Sequence, residues 1–529
     1  MNQKQDAILA LLAGTEAPVP VIPNGVRANY AYDAIPDPFA NNANFTFLGH
    51  VPAKSSRDIA KSMVGIGFET LDRDTFDPFP IIPLLGKSGI KHARCQTGWI
   101  KCEKTPGVYD FGWLDKIVDA LLAEGIQPWF SVSFGNPLYT PNRQYAELWE
   151  RYTEARKMEI PGPARGYVSE VPLLHGEEAM QAFLRYAAAL AAHFKGRVAV
   201  YEIWNEPEHF WKCNGEDYAA KDGAVALAQN YTELVRRTGE VIRGVNPEAK
   251  IAANSCGIGN SYINELGYCG LGNYIDIYTY HYYGNTPEAL LAANLAQLRA
   301  CLQVPGKELT IWQGESGRAS GNNTLPSYPS QYNQSKYLVR RLVSDAGQGI
   351  PMSSIFTASD FKGYYPDGSN QQYGVFTVGD IMPKLSYYVL QCMAALLEGV
   401  TPDPRILVQF GAPPKTFEDT YVYRFDGAAL RRKGVPLFAL WRGGNNDIPH
   451  APQYGWVNLC TRADPEIQDL IAIDPIRRNV YRVNSMQMPK PQDIRPAITL
   501  PNFPVTDYPI LLTDLRIFED FLPESANND

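Results

Sequence analysis

Two glutamates occupy comparable places in this chain. Glu206 lies in the string Y-E-I-W-N-E-P, Tyr201 to Pro207, and Glu315 in L-T-I-W-Q-G-E-S-G, Leu309 to Gly317. Each follows a short apolar run, so each would be delivered to the end of a strand. Two carboxyl groups facing one cavity suit the cleavage of a glycosidic bond. One must be protonated to donate to the leaving oxygen. The other must be ionised, to attack the anomeric carbon or to activate water. Burial and mutual repulsion can hold one proton on such a pair at neutral pH. A separation of about 5–5.5 Å belongs to a retaining mechanism and about 6.5–9.5 Å to an inverting one. Successive residues on a strand point to opposite faces, so Asn205 and Glu206 both reach a cavity only if the strand ends or bulges there. Pro207 fits such an end, because it cannot continue a central ladder.

Something must bring these two distant residues together. Eight short apolar runs recur along the chain: Met63–Leu71, Ile90–Trp99, Ile126–Phe134, Val198–Trp204, Lys250–Cys256, Ile275–Tyr283, Glu308–Glu315 and Ser353–Asp360. Each is apolar at nearly every position, as expected of strands covered on both faces. Between them, Phe111–Glu124, Glu177–Phe194, Ala224–Arg243, Pro287–Leu302, Gln331–Ala346 and Lys384–Leu397 carry helical periodicity, and Gly125 closes the first. Strands alternating with helices predict an α/β chain with a parallel sheet, and eight units predict a (β/α)8 TIM barrel. An open doubly wound sheet is the alternative. Neither G-x-G-x-x-G nor G-x-x-x-x-G-K-[ST] occurs, which argues against it. In a barrel, Glu206 on the fourth strand and Glu315 on the seventh share the C-terminal rim, where active sites lie.

After about residue 400 the texture changes. The segments R-I-L-V-Q-F, T-Y-V-Y-R-F, V-P-L-F-A-L-W-R, R-N-V-Y-R-V and Y-P-I-L-L-T are short strand candidates punctuated by Pro, Gly and Asn. They predict a C-terminal antiparallel β-sandwich. The expected organisation is an N-terminal extension over 1–60 that could lend a strand to the sandwich, a barrel over 61–400 and an accessory sandwich over 401–529. The 529 residues are too many for one ordinary core.

The net charge of −8 offers no basic footprint for nucleic acid. No apolar stretch is long enough to cross a membrane as a helix. The N-terminus lacks a clear signal-peptide core, so the expectation is a cytoplasmic protein or a secreted one whose signal has been removed. The eight Cys are scattered without a C-x-x-C pair, which argues against a zinc or redox site and predicts free and mostly buried thiols, with one disulfide as the alternative; no metal or cofactor is expected. The 31 Tyr, 22 Phe and 9 Trp suit a carbohydrate partner but equally a large core. Oligomeric state is left open.

The W-N-E-P string, the matching glutamate on the seventh strand and the order of the eight runs resemble clan A retaining glycoside hydrolases over roughly residues 60–400. That resemblance implies Glu206 as acid/base and Glu315 as nucleophile. The sandwich tail, and G-V-Y-D-F-G-W-L-D-K-I-V-D-A-L-L-A-E-G-I at Gly107 to Ile126, resemble glycoside hydrolase family 39, of β-xylosidase and α-L-iduronidase type. W-Q-G-E-S-G departs from the T-E-[FW] string common in that family. The expected activity is exo cleavage of a β-linked, xyloside-like substrate by double displacement. Asn205 would donate to the sugar 2-hydroxyl. Arg94, near the end of the second strand, would hold Glu315 ionised, or else pair with Glu202 inside the barrel. His281 and Tyr283 share strand parity, and the resemblance implies that a residue there contacts the nucleophile or the sugar. Trp99, Phe134, Asn136, Trp204, His209, Trp312 and Phe361 lie at or past strand ends, where one or two could form a sugar platform. Glu69 and Asp360 could bind hydroxyls. The loops 136–172 and 318–330 would wall the site. Two other functions stay open: a non-catalytic sugar-binding protein on a degenerate barrel, and a transglycosylase using the same residues.

Overall fold

The computed structural model describes residues 3–18, 37–142, 169–321, 329–365, 369–403, 408–412, 415–416, 420–427, 435–460, 467–487 and 497–523. Most of the two loops expected to wall the site, 143–168 and 322–328, lies outside these residues. Eight strands form a closed barrel: β1 Val64–Phe68, β2 His92–Gln96, β3 Gln127–Val132, β4 Val200–Ile203, β5 Lys250–Cys256, β6 Ile277–His281, β7 Thr310–Ser316 and β8 Ser353–Ile355. Every neighbouring pair is parallel, and β8 pairs with β1 to close the ring. The apolar runs are the strands, because helices cover the outside and side chains fill the inside.

The outer helices include Gly112–Ala123, Glu177–His193, Tyr218–Val245, Leu291–Leu302, Gln331–Gly347 and Leu385–Leu396. Their ends carry local signals. Asp217 accepts from the Ala220 amide and Ser330 from the Asn333 amide, satisfying first-turn donors. Helices Ile82–Gly86 and Ser261–Tyr268 are too short for periodicity to announce them.

Two antiparallel sheets follow the barrel. A seven-stranded sheet runs in the spatial order 45–50, 479–483, 470–474, 510–514, 436–442, 420–427 and 400–402, and a four-stranded one in the order 415–416, 408–412, 453–460 and 497–505. Strand Phe45–His50 pairs with Asn479–Val483, so the first 60 residues supply an edge strand. Helix Gln331–Gly347 is the seam between barrel and sheets. Its Lys336 donates to Asp507 at 2.7 Å, and its Arg340 meets Glu288, which also accepts from Trp441 Nε1 at 3.3 Å. These charges are buried and paired, as burial requires. No described helix is long and apolar enough to cross a membrane. Cys95, Cys102, Cys213, Cys256, Cys269, Cys301 and Cys392 are free, and Cys95, Cys102, Cys213 and Cys392 are buried.

Candidate active site

Glu202 and Glu206 belong to the same segment but reach the cavity differently. Strand β4 ends at Ile203, and Trp204 and Glu206 both take left-handed backbone conformations, with φ of 65° and 40°. Such conformations cost a non-glycine residue about 1–3 kcal/mol and persist only where neighbours impose them. The neighbour here is Asn254 on β5. Its Oδ1 accepts from the Glu206 amide at 2.6 Å, and its Nδ2 donates to the Trp204 carbonyl at 2.8 Å. The chain is thereby turned so that Asn205 and Glu206 both face inward.

Glu315 needs a different device. Gln313 pairs with Tyr280, but Glu315 pairs with His281, so Gly314 is an extra residue in β7. Gln313 faces outward, accepting from Ser353 Oγ at 3.2 Å. In an unbroken strand Glu315 would share that face. The bulge at Gly314 turns it into the cavity. A Cβ at Gly314 would meet Thr279 Cβ at 2.8 Å and His281 Nε2 at 3.0 Å, so glycine is required.

Arg94, on β2 and 0% exposed, organises the floor. Its Nη1 donates to Glu315 Oε2 at 2.8 Å and lies 3.3 Å from Glu69 Oε1. Its Nη2 donates to Asn205 Oδ1 at 2.7 Å, and Nε and Nη2 both meet Glu202. The two sequence alternatives for Arg94 therefore coexist: it holds Glu315 and pairs with Glu202. Glu202 also accepts from Thr279 Oγ1 at 2.5 Å. Tyr283 OH donates to Glu315 Oε1 at 2.5 Å, and His281 Nδ1 lies 2.9 Å from Glu206 Oε1 and 3.7 Å from Glu315 Oε2. Because guanidinium only donates, the Asn205 oxygen is committed to Arg94 and its amide N–H groups remain for a ligand.

Glu206 and Glu315 are 9% and 8% exposed. A carboxylate oxygen of each, with a His281 nitrogen, lies in a set whose members are all within 4.8 Å of one another. Among the described residues these three form the one His/Glu grouping that could hold a metal ion. All three side chains are already engaged in hydrogen bonds, so their arrangement suits proton handling. Burial alone would raise the Glu206 carboxyl, but the hydrogen bond and charge of His281 outweigh it and hold Glu206 below its ordinary value. Burial would lower the His281 imidazole, yet Glu315 and Glu206 raise it. The pair thus shares a proton. Burial and the nearby Glu206 charge raise Glu315, against the pull of His281, Arg94 and Tyr283.

The structure brings Arg94, Asn205, Glu206, His281, Tyr283 and Glu315 together. Four other candidates are elsewhere. Trp99 is fully buried, stacked on Tyr139 and Tyr186, with Nε1 donating to Glu103 at 2.6 Å. Asn136 is buried and braces its own loop, donating to the Glu103 carbonyl and accepting from the Leu138 amide. Trp312 faces into the barrel below the site, against His92 and Trp129 near the strands' N-terminal ends. Phe361 is buried against Phe76 and Phe356. None of these four lines the cavity as a platform: the chain turns each into packing. Phe134 and Trp204 likewise pack on each other. His209 is exposed. Asp360 is taken by Lys384 at 2.6 Å. The rings beside the site are Phe356 and Tyr373, both packed on Tyr283. Asn254 and Gly314 were not singled out in sequence; an Asn inside the apolar run A-A-N-S-C is the signal that could have found the first.

Residues 80–221 match the model of a β-galactosidase family, glycoside hydrolase 42. The stretch includes Arg94, Asn205 and Glu206 and stops before His281 and Glu315. Among solved structures, the chain is similar to the β-galactosidase of the psychrophilic Marinomonas ef1, at 14% identity over 63% of this chain and 59% of that one, with a TM-score of 0.44. It is similar to the endo-glycoceramidase II of a Rhodococcus species, at 14% identity over 88% and 99%, with a TM-score of 0.41. A family 1 β-glucosidase from Thermotoga maritima gives 14% identity over 64% and 98%, with a TM-score of 0.45. The chain spans 59% of the Marinomonas enzyme's length. The family match falls on the first part of the barrel, over 80–221, and does not single out family 39.

Proposed function

We propose that the protein is a retaining glycoside hydrolase with Glu315 as nucleophile and Glu206 as acid/base. The observation that carries this reading is the closeness of the two carboxylates: one oxygen of each lies within 4.8 Å of the other, nearer the about 5–5.5 Å of a retaining pair than the about 6.5–9.5 Å of an inverting one. Glu315 attacks the anomeric carbon while the bond to the leaving oxygen breaks and Glu206 protonates that oxygen. Glu206 then takes a proton from water, which attacks the anomeric carbon and frees Glu315. His281 stores the acid's proton in the resting site and yields it to Glu206 as the leaving oxygen arrives. Arg94 and Tyr283 orient Glu315. The Asn205 amide faces the sugar 2-hydroxyl, a contact that strengthens in the transition state.

The finer reading is exo action on a β-linked, xyloside-like sugar, supported by the family 39 likeness of residues 107–126 and by the small exposure of both glutamates. A β-galactoside is the second reading, favoured by the family model matched over 80–221. On either reading residues 61–400 form the catalytic barrel, and 401–529, with a strand from the first 60, the accessory sandwich. A panel of aryl β-xylosides, β-galactosides and β-glucosides separates the two. Glu315→Ala should abolish turnover of the best substrate, and azide should restore it with a glycosyl azide of inverted configuration. Undiminished turnover in Glu315→Ala would overturn the assignment.

A further inference from the structure

The Arg94 guanidinium has five N–H groups, and all of them have partners: Glu202 from Nε and Nη2, Asn205 from Nη2, Glu315 and Glu69 from Nη1. Three buried carboxylates therefore surround one cation. An excess of buried negative charge is relieved when one carboxyl keeps a proton. Each of the three has two donors: Arg94 and Thr279 for Glu202, Arg94 and Tyr283 for Glu315, Arg94 and Thr357 for Glu69. Glu69 has the longest contact with Arg94, at 3.3 Å.

The surroundings of Glu69 fit either protonation state. Its carboxyl is folded back over Gly67, where an added Cβ would lie 2.1 Å from Oε2. Thr357 Oγ1 is 3.0 Å from Glu69 Oε2 and 2.8 Å from the Gly67 carbonyl. When Glu69 is ionised, the Thr357 hydroxyl donates to it. When Glu69 is protonated, its own O–H donates to Thr357, whose hydroxyl turns to the Gly67 carbonyl. No group has to move for the carboxyl to titrate.

We infer that Glu69 is a positioning residue for the reaction: once ionised, its charge keeps the proton on the Glu206–His281 pair and extends activity to higher pH. This rests on the hydrolase reading above. Burial and the Glu315 charge push the Glu69 carboxyl up to about 7, against the pull of Arg94. The groups facing it are Arg94 and Cys95 from β2, Glu315 from β7, Tyr283 beyond β6 and Thr357 beyond β8. Burial raises the Cys95 thiol and the Tyr283 phenol, so both stay neutral, and only Arg94 and Glu315 face Glu69 as ions.

A carboxyl raised from 4.5 to about 7 on folding binds its proton more tightly in the folded chain. The stability this contributes is full below pH 4.5 and is lost as pH rises through about 7. Glu69→Gln imitates the protonated form at every pH. Thr357→Val keeps the carboxyl but removes the donor that serves its ionised form.

The test measures kcat/KM against pH on an aryl glycoside, and melting temperature against pH, for the full-length wild type and both variants. In Glu69→Gln the alkaline limb should move down by about one pH unit, the effect of one charge across a buried site, with the acid limb in place. Its melting temperature relative to wild type should be higher at pH 8 than at pH 5. Thr357→Val should move the alkaline limb the same way by less, and it decides the matter if Glu69→Gln does not fold. Limbs that stay put while the whole profile falls would overturn the inference and leave the hydrolase reading intact. If the wild type hydrolyses nothing, the hydrolase reading has failed instead, and an equal melting difference at pH 5 and pH 8 still overturns the assignment of the Glu69 proton.

Discussion

Tyr283→Phe removes one oxygen and little else. The ring packs against Phe356 and Tyr373, with centroids 6.1 Å away in each case, and phenylalanine keeps those contacts. What disappears is the O–H donated to Glu315 Oε1 at 2.5 Å. A hydrogen bond to a charged group is worth about 1.5–3 kcal/mol. A tenfold change in proton affinity corresponds to about 1.4 kcal/mol, so losing the bond should tighten proton binding at Glu315 by about ten- to a hundredfold. Tyr283 pulls Glu315 down in the native site, so its loss can only move the acid limb of kcat/KM upward. The assay is kcat/KM from pH 4 to 9 on an aryl glycoside. Just below the wild-type acid limb the variant should lose about tenfold or more, while at pH 7.5 it should lose far less. An acid limb that does not move would mean that the hydroxyl has no part in keeping Glu315 ionised.

Other consequences are checked separately. Asn205→Ala should lower kcat/KM by about a hundredfold, and the same variant should discriminate far less between a glycoside and its 2-deoxy analogue, because the lost amide is the group that senses the 2-hydroxyl. Trp99→Ala should destabilise the chain by about 3–5 kcal/mol in urea unfolding while leaving KM close to wild type, since the ring is core and not platform. Asp507→Ala strands the buried Lys336 ammonium and should cost about 3–5 kcal/mol in the same assay, with part of the loss recovered in Lys336→Met/Asp507→Leu.

The barrel was legible because parallel strands buried on both faces are apolar at nearly every residue, and the eight runs carry the eight strands in order. The sheets after residue 400 were less so. Strands Gln453–Cys460, Leu470–Asp474 and Ala497–Val505 went unread, since short strands between turns carry little periodic signal and the last contains two prolines. At the site, the local string around Glu206 announced a strand end, and Asn254 imposes it. Glu315 was reached by strand position alone. Strict alternation from Gln313 would have pointed it outward, and the bulge at Gly314 that reverses this is invisible without knowing the partner strand's register. The aromatic candidates failed for a related reason. Position past a strand end says that a ring is near the rim, but not which way the following loop turns it. Trp99 and Phe361 turn into packing, and Trp312 sits a layer lower because it precedes the bulge.

The most direct test of the two-glutamate account is the configuration of the first-formed product, followed by NMR from the moment of mixing, together with trapping by a 2-deoxy-2-fluoro glycoside and peptide mass mapping. Double displacement through Glu315 gives retention at the anomeric centre and a covalent sugar on the peptide containing Glu315. Inversion, or an adduct on a different carboxylate, would contradict it.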